Sequence, residues 1–161
     1  MKAKEKQLRT LHFIDIENLC ESRVLNEELV REVKRDYFEL TQPMKGDQFV
    51  IGVSHINLSA ASFGWGAGGA QFVVQSGQDG ADLALIGVIQ DRQFTDRFKD
   101  VAIASGDGIF AEMAMSLRRR SQTVRFIARE NCISQCIFRI GCECLLLPTL
   151  NGFAEEYQLV S

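Results

Sequence analysis

The sequence predicts an α/β protein: a three-layer α/β/α sandwich around a mainly parallel, open sheet. Three observations predict it. Strand-like and helix-like segments alternate six times along 161 residues. The strand segments are short and almost continuously apolar, without the in–out alternation of a sheet with one wet face, so helices should cover both faces. No repeat, low-complexity tract or linker divides the chain, and its length suits a single domain with a real core.

Residues 11–16 (LHFIDI) read as the first strand. Residues 26–40 place Leu29, Val30, Val33, Tyr37, Phe38 and Leu40 at helical spacing, and Pro43 and Gly46 end that helix. Residues 47–54 (DQFVIGVS) form the second strand, and 55–64 a short helix. Residues 70–75 make the third strand, and 81–94 a helix that is almost fully apolar at its start, through Leu83, Leu85, Ile86, Val88 and Ile89. The fourth strand is 101–105 (VAIAS), followed by a helix over 108–119, a fifth strand over 123–128, a helix over 133–140 and a sixth strand over 142–147 that Pro148 stops. One domain, 1–161, is therefore expected, with its core over 11–148 and a C-terminal tail over 149–161.

Hydrophobic residues at 46% and charged residues at 24% are ordinary for a globular protein. No apolar run reaches the roughly 18 residues needed to cross a bilayer. The basic N-terminus, MKAKEKQLRT, lacks the apolar stretch of a signal peptide. No membrane partner is expected, and a cytoplasmic location is. A net charge of -3 excludes a uniformly basic nucleic-acid binder. The cations are nonetheless unevenly spread: Lys2, Lys4, Lys6 and Arg9 at the start, and Arg118, Arg119, Arg120, Arg125 and Arg129 within twelve residues. The five cysteines (Cys20, Cys132, Cys136, Cys142, Cys144) are odd in number, which argues against a disulfide framework. Their spacing contains no CxxC knuckle, so they read as small buried hydrophobes in preference to zinc ligands.

The chemistry-bearing residues lie in acidic segments far apart in the chain: Asp15-Ile-Glu17-Asn18, Asp79-Gly-Ala-Asp82, and Ser105-Gly-Asp107-Gly with Glu112 a helical turn beyond. Each follows an apolar strand or the short loop after one. Carboxylates gathered at strand ends make a hard, oxygen-rich site that suits Mg²⁺ or Mn²⁺. If the strand order is 3-2-1-4-5, strands one and four are neighbours and flank the switch point where such sheets bind ligands. Asp15 ends a strand so apolar that its buried carboxylate needs a partner. Asp79 and Asp82 share a face at a helix start, where capping is the competing role. Asp82 precedes LALI, which should pack on the sheet, so it should point at the strand ends. Asp107, between two glycines, has a competing N-cap role. Asn18 caps the next segment or holds Asp15 and a water. Glu17 reads as a solvated loop charge, and Glu112 stands between site and surface.

Other patterns fail on context. Gly64-x-Gly66-x-Gly68-Gly69 precedes a strand instead of following one, so it cannot act as a dinucleotide loop. There is no P-loop motif. His12 falls inside the first strand and reads as a core residue, whereas His55 follows the second and could line the cleft. Neither has a nucleophile at motif spacing, so acyl transfer by a triad is unsupported. Trp65, in FGWGAGG, could face a protein partner or a second copy, or simply cover a sheet edge.

FIDIENL, DGADLAL and IASGDGIF, in that order, together with the VSH ending of strand two and the RFIARENCIS stretch, resemble the NYN group of PIN-like nucleases over roughly residues 11–148. The resemblance implies a PIN-like sandwich and Mg²⁺- or Mn²⁺-dependent endoribonuclease activity, with RNA as substrate. It puts the family's first acidic motif on Asp15 with the associated amide on Asn18, its central acid on Asp82 and its SGD aspartate on Asp107. Asp15, Asp82 and Asp107 would hold the metal, with Asp79 as an added candidate. Two positions depart: many relatives carry a second aspartate where this chain has Ile109, and lysine where it has Asp79. The same fold with an incomplete metal set would be a module that binds RNA or a protein partner without cutting; an enzyme neutralised by a partner protein is a further possibility. Arg118, Arg119 and Arg120 should lie at the far end of the sheet from Asp107, about 15 Å along their helix. There they would hold a distant part of a long RNA or an acidic partner.

Overall fold

The computed structural model describes residues 9–66 and 68–150; Lys2, Lys4 and Lys6 and the tail from 151 lie outside the described residues. The elements are β1 (Thr10–Asp15), α1 (Ile16–Leu19), α2 (Glu27–Thr41), β2 (Gln48–Val53), α3 (Leu58–Trp65), β3 (Ala70–Val74), α4 (Gly80–Gln90), α5 (Arg92–Thr95), β4 (Asp100–Ala104), α6 (Ala111–Arg119), β5 (Thr123–Arg129), α7 (Gln135–Arg139) and β6 (Glu143–Leu147). Single 3₁₀ turns at His55–Asn57 and Gly108–Phe110 lead into α3 and α6.

All six strands are parallel, in the order β3-β2-β1-β4-β5-β6, so the fold is the α/β sandwich that the alternating pattern predicts. The order is 3-2-1-4-5 with β6 at the edge, which meets the condition for strands one and four to flank the switch point. Asp15 lies opposite Gly52 of β2, and Ile14 opposite Ala104 of β4, so the chain reverses its winding between β1 and β4. Strand periodicity sends alternate residues into two cores. Ile14 packs with α2 and α3, through Val30, Val33, Tyr37 and Trp65. Leu11 and Phe13 pack with α4 and α6, through Leu85, Ile89, Ala114 and Leu117. At Gly52 a Cβ would stand 2.5 Å from Leu85 Cγ and 2.8 Å from the Ala81 carbonyl oxygen. Only glycine lets α4 lie this close to β2, and that closeness sets the first turn of α4 over the strand ends.

Four expectations are corrected. The helix read over 81–94 breaks at Asp91, whose ψ of 94° ends α4 and whose side chain caps α5 by accepting the Gln93 N–H. Trp65 is buried among Tyr37, Phe38 and Phe49, so it belongs to the core and not to a docking surface. Arg129, counted in the basic cluster, is fully buried: its Nε donates to the Leu19 carbonyl and its Nη1 to the Pro148 carbonyl. Of the cysteines, Cys20 is buried, Cys136 is exposed and the others are half-buried, so the reading as buried hydrophobes fits Cys20 alone. His12 is buried as expected, between Tyr37 Oη at 2.8 Å and Asp47 Oδ2 at 3.1 Å, and stacked on Phe49. Burial pushes its pKa down despite Asp47. Among the described residues, no helix is long and apolar enough to cross a membrane.

Candidate metal centre

The carboxyl ends of β1 and β4 and the first turn of α4 meet in a pocket of about 430 Å³. Asp15, Glu17, Glu21, Asp79, Asp82 and Asp107 line it, with Arg23 as the cation among them. One carboxylate oxygen each from Asp79, Asp82 and Asp107 lies within 4.8 Å of the others. Such a spacing allows three oxygens to share one hard cation.

Each carboxylate is placed by different local physics. Asp79 sits in the left-handed region, φ 56°, and makes no capping bond to α4. The sequence offered capping as its alternative role; the strained backbone instead turns the residue into the pocket. Asp82 is buried in the first turn of α4, facing the strand ends as its apolar neighbours required. Asp107 caps the turn before α6 by accepting the Ile109 N–H at 3.1 Å, so capping and membership of the cluster coexist.

Asp15 differs from expectation. It is not one of the three carboxylates within 4.8 Å of one another, but it lines the same pocket, 4% exposed and in hydrogen-bonding reach of Asp82. Its oxygens accept the Asn18 N–H at 3.4 Å and the Ser105 hydroxyl at 2.9 Å. Asn18 is likewise occupied: its Oδ1 accepts the Gly106 N–H at 3.0 Å, so its side chain holds the 105–108 loop. Glu17 is not a solvated charge. It accepts from the Ser54 N–H, the Ser54 hydroxyl and Asn57 Nδ2, and ties the end of β2 to the site. Glu112 is exposed outside the pocket lining, and His55, turned to Ser76 Oγ at 2.6 Å, is also outside it.

The electrostatics follow from crowding. Asp82 is pushed up to about 9 by burial and by Asp15 and Asp107 beside it. Burial also raises Asp15, against the pull of its hydrogen bonds. A proton shared between Asp15 and Asp82 relieves repulsion in the absence of a cation, and a divalent ion would displace it. The donor set, all carboxylate oxygen, would suit a hard divalent cation.

No family model matches this chain, and no curated protein does either. Its fold is shared with a protein of unknown function from Vibrio parahaemolyticus: 14% identity, TM-score 0.57, over 94% of this chain and 98% of that one. That likeness concerns the fold alone.

Ser105, Ser54 and Arg23 were missed as site residues. Ser105 lay in view within SGDG, and its hydroxyl both donates to Asp15 and accepts the Asp107 N–H at 3.1 Å. Arg23 carried no signal, because the 20–26 loop has no motif and reaches the pocket only through packing: the Arg23 carbonyl accepts from buried Asn57. The strain at Asp79 gives a direct test. Asp79→Gly should stabilise the metal-free protein by about 0.5–1 kcal/mol, since glycine adopts φ 56° without penalty and one charge leaves the cluster. It should also weaken Mn²⁺ binding. Denaturant melts with and without Mn²⁺ read both, and a loss of metal-free stability would contradict the assignment of strain.

Proposed function

We propose that the protein is a divalent-metal-dependent endoribonuclease of the cytoplasm, hydrolysing RNA phosphodiesters with Mg²⁺ or Mn²⁺. The observation that supports this most is the convergence of Asp79, Asp82 and Asp107 at the switch point of a parallel sheet. These three would hold the ion, with Asp15 hydrogen-bonded to Asp82 beside them in the same pocket. A divalent cation bound there would supply the positive charge that a phosphodiester needs for attack by water. Arg23, on the pocket rim, is placed to take a phosphate oxygen. Asn18 and Ser105 hold Asp107 by fixing the loop that carries it.

The resemblance to NYN-type nucleases gives this reading its substrate class. Purified protein with Mn²⁺ should cut single-stranded RNA, and EDTA should stop it. If RNA binds and no divalent ion produces cleavage, the second reading takes its place: a module that binds RNA or a protein partner without cutting. Ile109 favours that alternative, because it packs half-buried against the core under α4 and α6 where the resembling proteins carry an acid.

A further inference from the structure

At the opposite end of the sheet lies a larger cleft, about 600 Å³, of reversed charge. Arg9, Arg92, Arg97, Lys99, Arg119 and Arg120 line it against a single acid, Asp96. Six of the chain's 18 basic residues thus meet here, although the net charge is -3. They come from three separate segments: the residue before β1, the stretch from α5 to β4, and the end of α6 with the turn after it.

Asp96 is already engaged, 3.1 Å from Arg120 Nη1 and 3.7 Å from Arg92 Nε. Arg9, Arg97, Lys99 and Arg119 have no carboxylate within ion-pair distance among the described residues. The cleft also holds its cations in place. Phe98, 2% exposed, carries the Arg9 and Arg97 guanidiniums 5.3 Å and 5.8 Å from its ring centre. Like charges held this close repel one another unless an anion sits among them.

A shallow groove of about 310 Å³ continues from the cleft between α4 and α6, shares Arg92, Arg119 and Arg120 with it, and reaches Met113 in the first turn of α6. Both helices start at the acidic pocket, with Asp82 in the first turn of α4 and Asp107 just before α6; α6 ends at the basic cleft with Arg119, and α4 ends at the groove with Gln90. The nine residues of α6 span about 13 Å. We propose that the basic cleft binds the phosphodiester backbone of single-stranded RNA, which runs along the α4–α6 groove from the acidic site. Cations spread over three segments, with a groove leading on, suit an extended polyanion better than a single phosphate. This rests on the nuclease reading for its substrate class, but the binding does not require cleavage.

The test is equilibrium binding of the full chain in EDTA, where no cation holds RNA at the acidic site. The probes are unstructured RNAs of about 30 and about 4 nucleotides. The variant is R97Q/K99Q/R119Q, three exposed side chains outside the acidic pocket, with its melting temperature checked against wild type. The variant should bind the longer RNA at least about 10-fold more weakly. Its slope of log K against log salt should be shallower by about 2, near 0.7 for each lost contact. Cleavage of the short RNA with Mn²⁺ should change by less than about twofold, because a substrate of that length offers at most about two phosphates beyond the scissile one. Equal affinity and slope in variant and wild type overturn the proposal, as does a wild type that ignores the long RNA or prefers polyglutamate of equal charge. Cleavage with unchanged binding leaves the nuclease reading standing alone. Weakened binding without any cleavage sustains the cleft and rejects the nuclease.

Discussion

Asp82→Asn should lower RNA cleavage at least about 100-fold while making the metal-free protein more stable. The two effects have one cause. Asp82 stands between Asp15 and Asp107, and burial with these neighbours lifts it from 3.8 to about 9. A folded pKa above the unfolded one means that the folded state holds the extra proton. The stability that proton contributes is complete below about pH 4 and is lost as pH rises through about 9. Metal-free wild type should therefore weaken as pH rises over this window, and the asparagine variant should weaken less. Asp15, also raised, acts with the same sign. His12 acts oppositely: its depressed pKa costs stability as pH falls below 6.5. The comparison is therefore read between about pH 7 and about pH 9, where His12 is silent. At about pH 8 the variant should melt at least about 2 °C above wild type, the shift of roughly 1 kcal/mol in a chain of this size. With Mn²⁺ at about 100 times its Kd, wild type should gain about 2.7 kcal/mol and the ranking should reverse. Calorimetry in EDTA and in Mn²⁺, beside a cleavage assay, reads all three. A wild type indifferent to millimolar Mn²⁺, or a variant that cuts at the wild-type rate, would refute the metal centre.

Gly106→Ala should cost more than about 3 kcal/mol, a fall in melting temperature of at least about 6 °C. A Cβ at residue 106 would stand 1.8 Å from the Cys132 carbonyl oxygen, a backbone atom that no rotamer change can move away. The loop is pinned on both sides. The Gly106 N–H donates to Asn18 Oδ1, and its carbonyl accepts the Ser134 N–H at 2.8 Å. Relief requires 105–108 to leave 132–134, which breaks both bonds and carries Asp107 out of the cluster. Gly108→Ala is the milder control, because there the nearest atom is the Ser134 hydroxyl at 2.7 Å, the end of a side chain that can rotate. If Gly106→Ala melts within about 2 °C of wild type, the loop is not clamped as described.

How much of this could be read in advance varies from residue to residue. The continuous apolar strands and their alternation with helices determined the α/β sandwich, because only a parallel sheet covered on both faces consumes such a pattern; the order that sets β1 beside β4 came from the tertiary structure. The helical break at Asp91 escaped, since Asp91 caps α5 by a local contest that apolar periodicity does not register. At the site, Asp82 and Asp107 were legible from strand ends, glycines and helix starts. Asp79 was ambiguous: capping and clustering suit the same residue, and its left-handed backbone decided between them. Asp15 was recognised as buried and in need of partners. That Ser105 and the Asn18 backbone would satisfy it, leaving Asp79 in the converging trio, depends on contacts across 90 residues of chain. The division of charge is the clearest case. The sequence by itself determined a slight net acidity and scattered runs of arginine. Only the tertiary structure collected six acids at one end of the sheet and six cations at the other, while burying Arg129 between α1 and β6. The physical reason is that parallel strands bring every strand end to one side and every strand start to the other, so charges far apart in the chain add their fields in space.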